Sequence, residues 1–161
     1  MAFSFQVSGM DQLMAGMDKL KDQALHIAAE GLYEGAGVVA DKVSGAVNSI
    51  ATEPFKYAAS GRKRKPSPEE KALLASARKG VAKFRNNGTE INTSVGMQNS
   101  GYGTLKGKTK PIPQIANAIN SGTSFMQKQP FMRKAFSQSK GAATTAIENG
   151  IKKRIDELNI G

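Results

Sequence analysis

The sequence predicts an α+β fold in which a long N-terminal helix and a C-terminal helix pack on a small, mostly antiparallel β-sheet. Three patterns predict it. Apolar residues recur at spacings of three and four over residues 13–50, the period of a helix with one buried face. A second stripe of the same kind runs over 131–158. Between them, residues 81–97 place Asn86-Asn87-Gly88 between two stretches of strand character, and Asn-Gly is the preferred pair for a tight hairpin turn.

Taken in order, Phe3, Phe5 and Val7 alternate with small or polar residues and predict a short first strand. Ser8 then caps a helix start, with acidic Asp11 three residues on. Leu13, Met17, Leu20, Ala24 and Ile27 form its stripe, and Val39, Val43, Ala46, Val47 and Ile50 extend it. Gly31, Gly35, Gly37 and Gly45 each weaken it by about 1 kcal/mol relative to Ala. They predict a kink near 31–37, or the close approach of another backbone. Glu53-Pro54 ends the helix, because a residue before proline avoids the helical region.

Residues 59–67 read as an exposed, mobile linker. Ser67-Pro68-Glu69-Glu70 starts a second helix with a capping serine, a proline at the first position and a glutamate at the third. Gly80 is its expected end. After the hairpin, residues 98–113 form a loop rich in glycine and lysine, long enough to suggest function or disorder. A short helix is expected over 114–120, and Gln129-Pro130-Phe131 opens the last one. Its stripe is Phe131, Ala135, Ala143, Ala146, Ile147, Ile151, Ile155 and Leu158, and Lys152, Lys153 and Arg154 suit the negative pole of its dipole.

With 161 residues, the chain fits one domain spanning 1–161. Its 39% apolar content reaches the usual globular level of about 45–50% once the 17 glycines are counted. It has no cysteine, which excludes disulfides, Cys-ligated zinc, iron–sulfur clusters and thiol catalysis. Its single histidine, His26, excludes a site needing two and reads as a helical residue beside Asp22 and Glu30. No apolar run approaches the length of a membrane span, and the N-terminus lacks the pattern of a signal peptide. The simplest expectation is a protein that is intracellular or assembled inside a cell, without membrane contact.

The net charge of +10 is segregated. Residues 1–55 carry −4, residues 56–85 carry +8, and 86–128 and 129–161 carry +3 each. Arg62-Lys63-Arg64-Lys65 is the sharpest feature, followed by Lys106, Lys108 and Lys110 in the later loop. Such loops suit an acidic protein face or nucleic acid. No aromatic residue interleaves the first run for base stacking.

Catalytic motifs are absent. Gly107-Lys108-Thr109 resembles the end of a phosphate-binding loop, but that motif needs glycine where Tyr102 stands. The serines have no Gly-x-Ser-x-Gly elbow and no plausible histidine partner. Glu69 and Glu70 are explained by the helix they open. Neither an enzymatic activity nor a cofactor or metal is expected.

The C-terminal third carries a longer signature. Ile115-Ala116-Asn117-Ala118-Ile119-Asn120-Ser121-Gly122-Thr123-Ser124 precedes Gln129-Pro130-Phe131-Met132-Arg133-Lys134-Ala135-Phe136. This resembles the neck and tail-completion family of tailed bacteriophages, in which a Gly-Thr segment precedes a Pro-Phe box opening the C-terminal helix. The N-terminal strand, Gly9 and the helix with Leu13 and Leu20 are similar too. The likeness covers about residues 3–50 and 114–158. The family's Pro-x-x-Thr-Gly-x-Leu segment is echoed here only by Pro54 and Ser60-Gly61, followed by the basic run and an extra short helix.

The resemblance implies a structural protein of the virion, assembled in the host cytoplasm. It would form a ring at the head–tail junction, most often a hexamer, with a dodecamer as the alternative. Its implied neighbours are a head-completion or stopper protein and a tail terminator or tail tube protein, with DNA passing through the ring. Gly122, Thr123, Pro130, Phe131, Arg133 and Ala135 are its motif residues, expected to be mainly structural. Arg62, Lys63, Arg64, Lys65, Lys106, Lys108 and Lys110 are the candidate partner contacts. The competing expectation is a small basic nucleic-acid-binding protein.

Overall fold

The computed structural model describes residues 10–55, 61–77, 80–81, 85–86, 91–97 and 101–158. The expected first strand and the Ser8 cap lie outside them. The fold is α+β. Among the described residues it has four helices and six short strands.

Helix α1 (Met10–Asn48) is continuous, so no break interrupts it near 31–37. The glycines have the other use. Helix α4 (Phe131–Glu157) lies antiparallel against α1, with Gly31 beside Ile147 and Ile151 and Gly35 beside Ala143 and Ile147. A Cβ on Gly31 would lie 2.7 Å from Cγ1 of Ile151 and 3.0 Å from the Ile147 carbonyl oxygen. The two backbones therefore approach through missing side chains, and tertiary packing outweighs glycine's poor helix propensity. Gly37 and Gly45 meet nothing within 4 Å and have no such role. At the far end Arg154 bridges Glu30 (2.8 Å) and Glu157 (2.6 Å), which ties the last turn of α4 to α1.

Helix α2 (Pro68–Ser76) starts as expected. The Ser67 hydroxyl accepts the Glu70 N–H, and the Glu70 carboxylate accepts the Ser67 N–H. The helix stops at Ser76 because Ala77 turns extended, and Gly80 opens a strand instead. Strands β1 (Gly80–Val81) and β2 (Arg85–Asn86) pair antiparallel with β4 (Val95–Gly96) and β3 (Ile91–Asn92). The hairpin is there, but Asn86 faces Ile91, which centres it between Gly88 and Thr89 rather than on Asn87-Gly88. Its tip lies outside the described residues.

The loop expected over 98–113 is corrected over its described part, 101–113. Strands β5 (Tyr102–Leu105) and β6 (Lys108–Pro111) form a second antiparallel hairpin. Lys106 (φ 48°) and Gly107 (φ 74°) make its two-residue turn, both with the positive φ that such a turn needs. The signal was hard to read because lysine is a rare residue at positive φ. Helix α3 (Ile112–Ser121) follows at once, longer than the expected 114–120, and its Ile112 N–H donates to the Gly101 carbonyl.

The core gathers where the C-terminal part of α1 meets α2, α3 and the start of α4. Val43, Val47, Leu74, Ile119 and Ala135 are fully enclosed, with Ile50, Met126 and Phe131 beside them. Several backbone clasps hold this junction. The Gln129 side-chain amide and the Ala51 peptide exchange two hydrogen bonds, at 2.9 and 2.7 Å. Pro130 brings no side-chain cap to α4, and Asn120 of α3 supplies one by accepting the Met132 N–H at 3.1 Å.

Candidate functional site

The linker reading of residues 59–67 is corrected over its described part, 61–67. This segment is held on both sides. Arg64 pairs in parallel with Met126: its N–H donates to the Phe125 carbonyl (2.9 Å), and the Gln127 N–H donates to its own (2.8 Å). The Glu53 side chain accepts the Lys65 N–H, and the Glu53 N–H donates to Pro66.

Arg64 itself is not a surface cation. Its side chain is 9% exposed and forms a bidentate pair with Glu70, each bond 2.7 Å. It also donates to the Lys65 carbonyl and lies over the Phe55 ring, 4.8 Å from the centroid. Burial alone would push the Glu70 carboxyl up. The Arg64 guanidinium, the Ser67 N–H and the charge of Lys110 outweigh that and hold it below the usual carboxylate range. The hydrogen bonds to Glu70 raise Arg64 in turn. Among the described residues, no buried side-chain nitrogen or oxygen lacks a hydrogen-bond partner.

This buried pair forms the back of an open cleft of about 580 Å³. The β5–β6 hairpin supplies one wall with Leu105, Lys106, Lys108 and Lys110, and the start of α2 supplies Glu69 and Glu70. Phe55 and Phe125 give it aromatic surface. Lys106 lies with its ammonium 3.4 Å from the Phe55 ring centroid, a close cation–π contact. Lys108 and Lys110 are exposed at alternate positions of β6, so they share one face. Phe125 is 49% exposed at the cleft. The arrangement can hold an anionic group against an aromatic surface.

Of the seven candidate contact residues, Lys106, Lys108, Lys110 and Arg64 therefore meet in one cleft. The role expected for Arg64 is corrected to a structural one. Lys65 is half-buried, while Arg62 and Lys63 are exposed and do not line the cleft. The motif residues are placed in the scaffold. Gly122 ends α3 at φ 77°, and the Thr123 hydroxyl accepts the Phe125 and Met126 N–H groups. Phe131 and Ala135 are buried, Pro130 is half-buried and Arg133 is exposed. Sequence reasoning missed Phe55, Glu69, Glu70 and Phe125 as members of the cleft. The one available signal was Phe125, a large aromatic residue alone in a polar loop.

His26 is exposed on α1. Among the described residues, no three His, Cys, Asp or Glu side chains group as metal ligands, and no helix is long and apolar enough to cross a membrane. Compared with protein-family models, with curated proteins and with solved structures, the chain matches none.

Proposed function

We propose that this protein is a structural subunit of a ring at the head–tail junction of a tailed bacteriophage, joining the head connector to the tail tube around the passing DNA. The observation that carries the reading is the Gly122-Thr123 to Pro130-Phe131-Met132-Arg133 string, which resembles the neck and tail-completion family. Its placement fits a scaffold role, since Phe131 and Ala135 fill the core and Gln129 clasps the end of α1. The segregated charge supports it as well. A ring subunit presents two different faces to its neighbours, and contacts between unlike faces close by rotation. Its work is interface burial and charge matching toward copies of itself, a head-completion protein and a tail protein.

Light scattering across concentration at low and moderate salt tests this, with negative-stain images to count subunits. The expected result is a closed species at a fixed multiple of 17.1 kDa. A second reading, a small basic nucleic-acid-binding protein, is favoured by the lysines alternating on the exposed β5–β6 hairpin. A strict monomer that shifts duplex DNA, with affinity falling steeply as salt rises, overturns the ring reading in its favour.

A further inference from the structure

The basic cleft and the acidic stripe of α1 are built from different parts of the chain. Glu30, Glu34 and Asp41 are exposed on α1 at spacings of four and seven, which puts them on one stripe of the helix. Tyr33, 59% exposed, stands three residues after Glu30. The cleft is lined by residues of 55–70 and 104–125, which follow α1 in the chain. At 1.5 Å per residue, Glu34 lies roughly 20 Å back from the C-terminal end of α1, and Asp41 about 10 Å. Glu34 is therefore too far along the helix to serve its own cleft.

We infer that the cleft receives the acidic, Tyr33-bearing face of α1 from a second copy of this chain, a contact that deepens the ring reading and rests on it. The charges are complementary: residues 1–55 carry −4, whereas 56–85 carry +8 and 86–128 carry +3. Glu30 is shared with Arg154 of its own chain, so Glu34 and Asp41, about 10 Å apart along the helix, bring most of the charge to Lys106, Lys108 and Lys110. Tyr33 against Phe125 supplies the apolar contact at the centre, where interface energy concentrates. Single-stranded nucleic acid fits less well. Lys106 and Arg64 already lie over the Phe55 ring, which takes that ring from a stacking base.

The contact joins two different patches, so it propagates head to tail and either closes into a ring or runs on as an open chain. A charge swap tests it. One variant carries Lys108→Glu with Lys110→Glu, and the other carries Glu34→Lys with Asp41→Lys. All four positions are exposed, and circular dichroism and thermal melting check that both variants fold. Sedimentation velocity at low salt reads assembly. The expected result is that the wild type assembles, each variant alone associates at least about tenfold more weakly, and an equimolar mixture regains wild-type assembly.

If both variants still form the wild-type particle, the docking inference falls and the ring reading stands. If both variants weaken but the mixture stays apart, the pairing of these two faces is wrong. Open chains that depend on both patches would keep the docking and overturn the closed ring. A wild type that never associates overturns the docking, and a DNA shift by that monomer, lost in the lysine variant, overturns the ring reading as well and assigns the cleft to nucleic acid.

Discussion

The α1–α4 seam and the Arg64–Glu70 pair are both buried, and they are buried by opposite means. Along the seam the chain removes side chains, at Gly31, Gly35 and Gly150, until two backbones touch. Around Arg64 it keeps two charges and satisfies them with a bidentate pair, a capping box and an aromatic face. The seam draws its stability from contact area, and the ion pair at its far end, Arg154–Glu30, is exposed. The pair stores a large desolvation cost that only its partners offset. The first should therefore respond to volume and the second to charge and pH.

The largest expected effect is at the pair. Arg64→Ala leaves Glu70 buried without its cation and is expected to cost about 3–5 kcal/mol, read as a fall in the urea midpoint. Combining Arg64→Met with Glu70→Gln should recover part of that loss. Glutamine can still close the capping box, and neither charge remains buried. If Arg64→Ala costs no more than a surface substitution, the contrast between the two regions disappears.

The seam should answer next. Gly35→Ala places a methyl group against Ile147 and 3.0 Å from the Ala143 carbonyl oxygen, and overpacking of this kind costs about 1–3 kcal/mol. Gly45→Ala, in open space on the same helix, should instead stabilise by up to about 1 kcal/mol, since alanine is the better helix former. Opposite signs for the same substitution in one helix would sharpen the comparison, measured by denaturant unfolding.

The smallest effect is a slope. The folded Glu70 carboxyl is held below its unfolded value, so its contribution is full above the ordinary carboxylate pKa of about 4.3. It is lost as the pH falls through the folded value. Stability should therefore drop on acidification, and Glu70→Gln should flatten that drop while Gly35→Ala leaves its shape unchanged.

These two regions also differ in how far the sequence could be read. The stripe from Val39 to Val47, the Phe131 helix and the Ser67–Glu70 cap are local patterns, and the structure has them where spacing put them; α1 nevertheless stops at Asn48, before Ile50 and the stop expected at Glu53-Pro54. The Arg64 pair is not local in the same sense. Within Arg62-Lys63-Arg64-Lys65 nothing distinguishes the third cation, and only the pairing with Met126, the aromatic ring of Phe55 and the cap at Glu70 select it. The β5–β6 hairpin was missed for a related reason. Its turn uses Lys106 at positive φ, and its strands, Tyr-Gly-Thr-Leu and Lys-Thr-Lys-Pro, are short and polar with one side open to the cleft. The lysines of the cleft were legible as a basic stretch. Their convergence with Phe55, 51 to 55 residues earlier in the chain, and Phe125, 15 to 19 residues later, was not.

The antiparallel seam also sets the order in which this protein can mature. Its two helices are separated by 82 residues of chain, Ser49 to Pro130, all of which must be made before α4 exists. At roughly 5–20 residues per second, α1 spends on the order of 4–16 s on the ribosome with its apolar stripe uncovered. During that interval its small-residue face offers a close seat to any other helix, including α1 of a second nascent chain. Slowing translation between Pro130 and Glu157 should therefore raise the aggregated fraction more than an equal delay before Ser49.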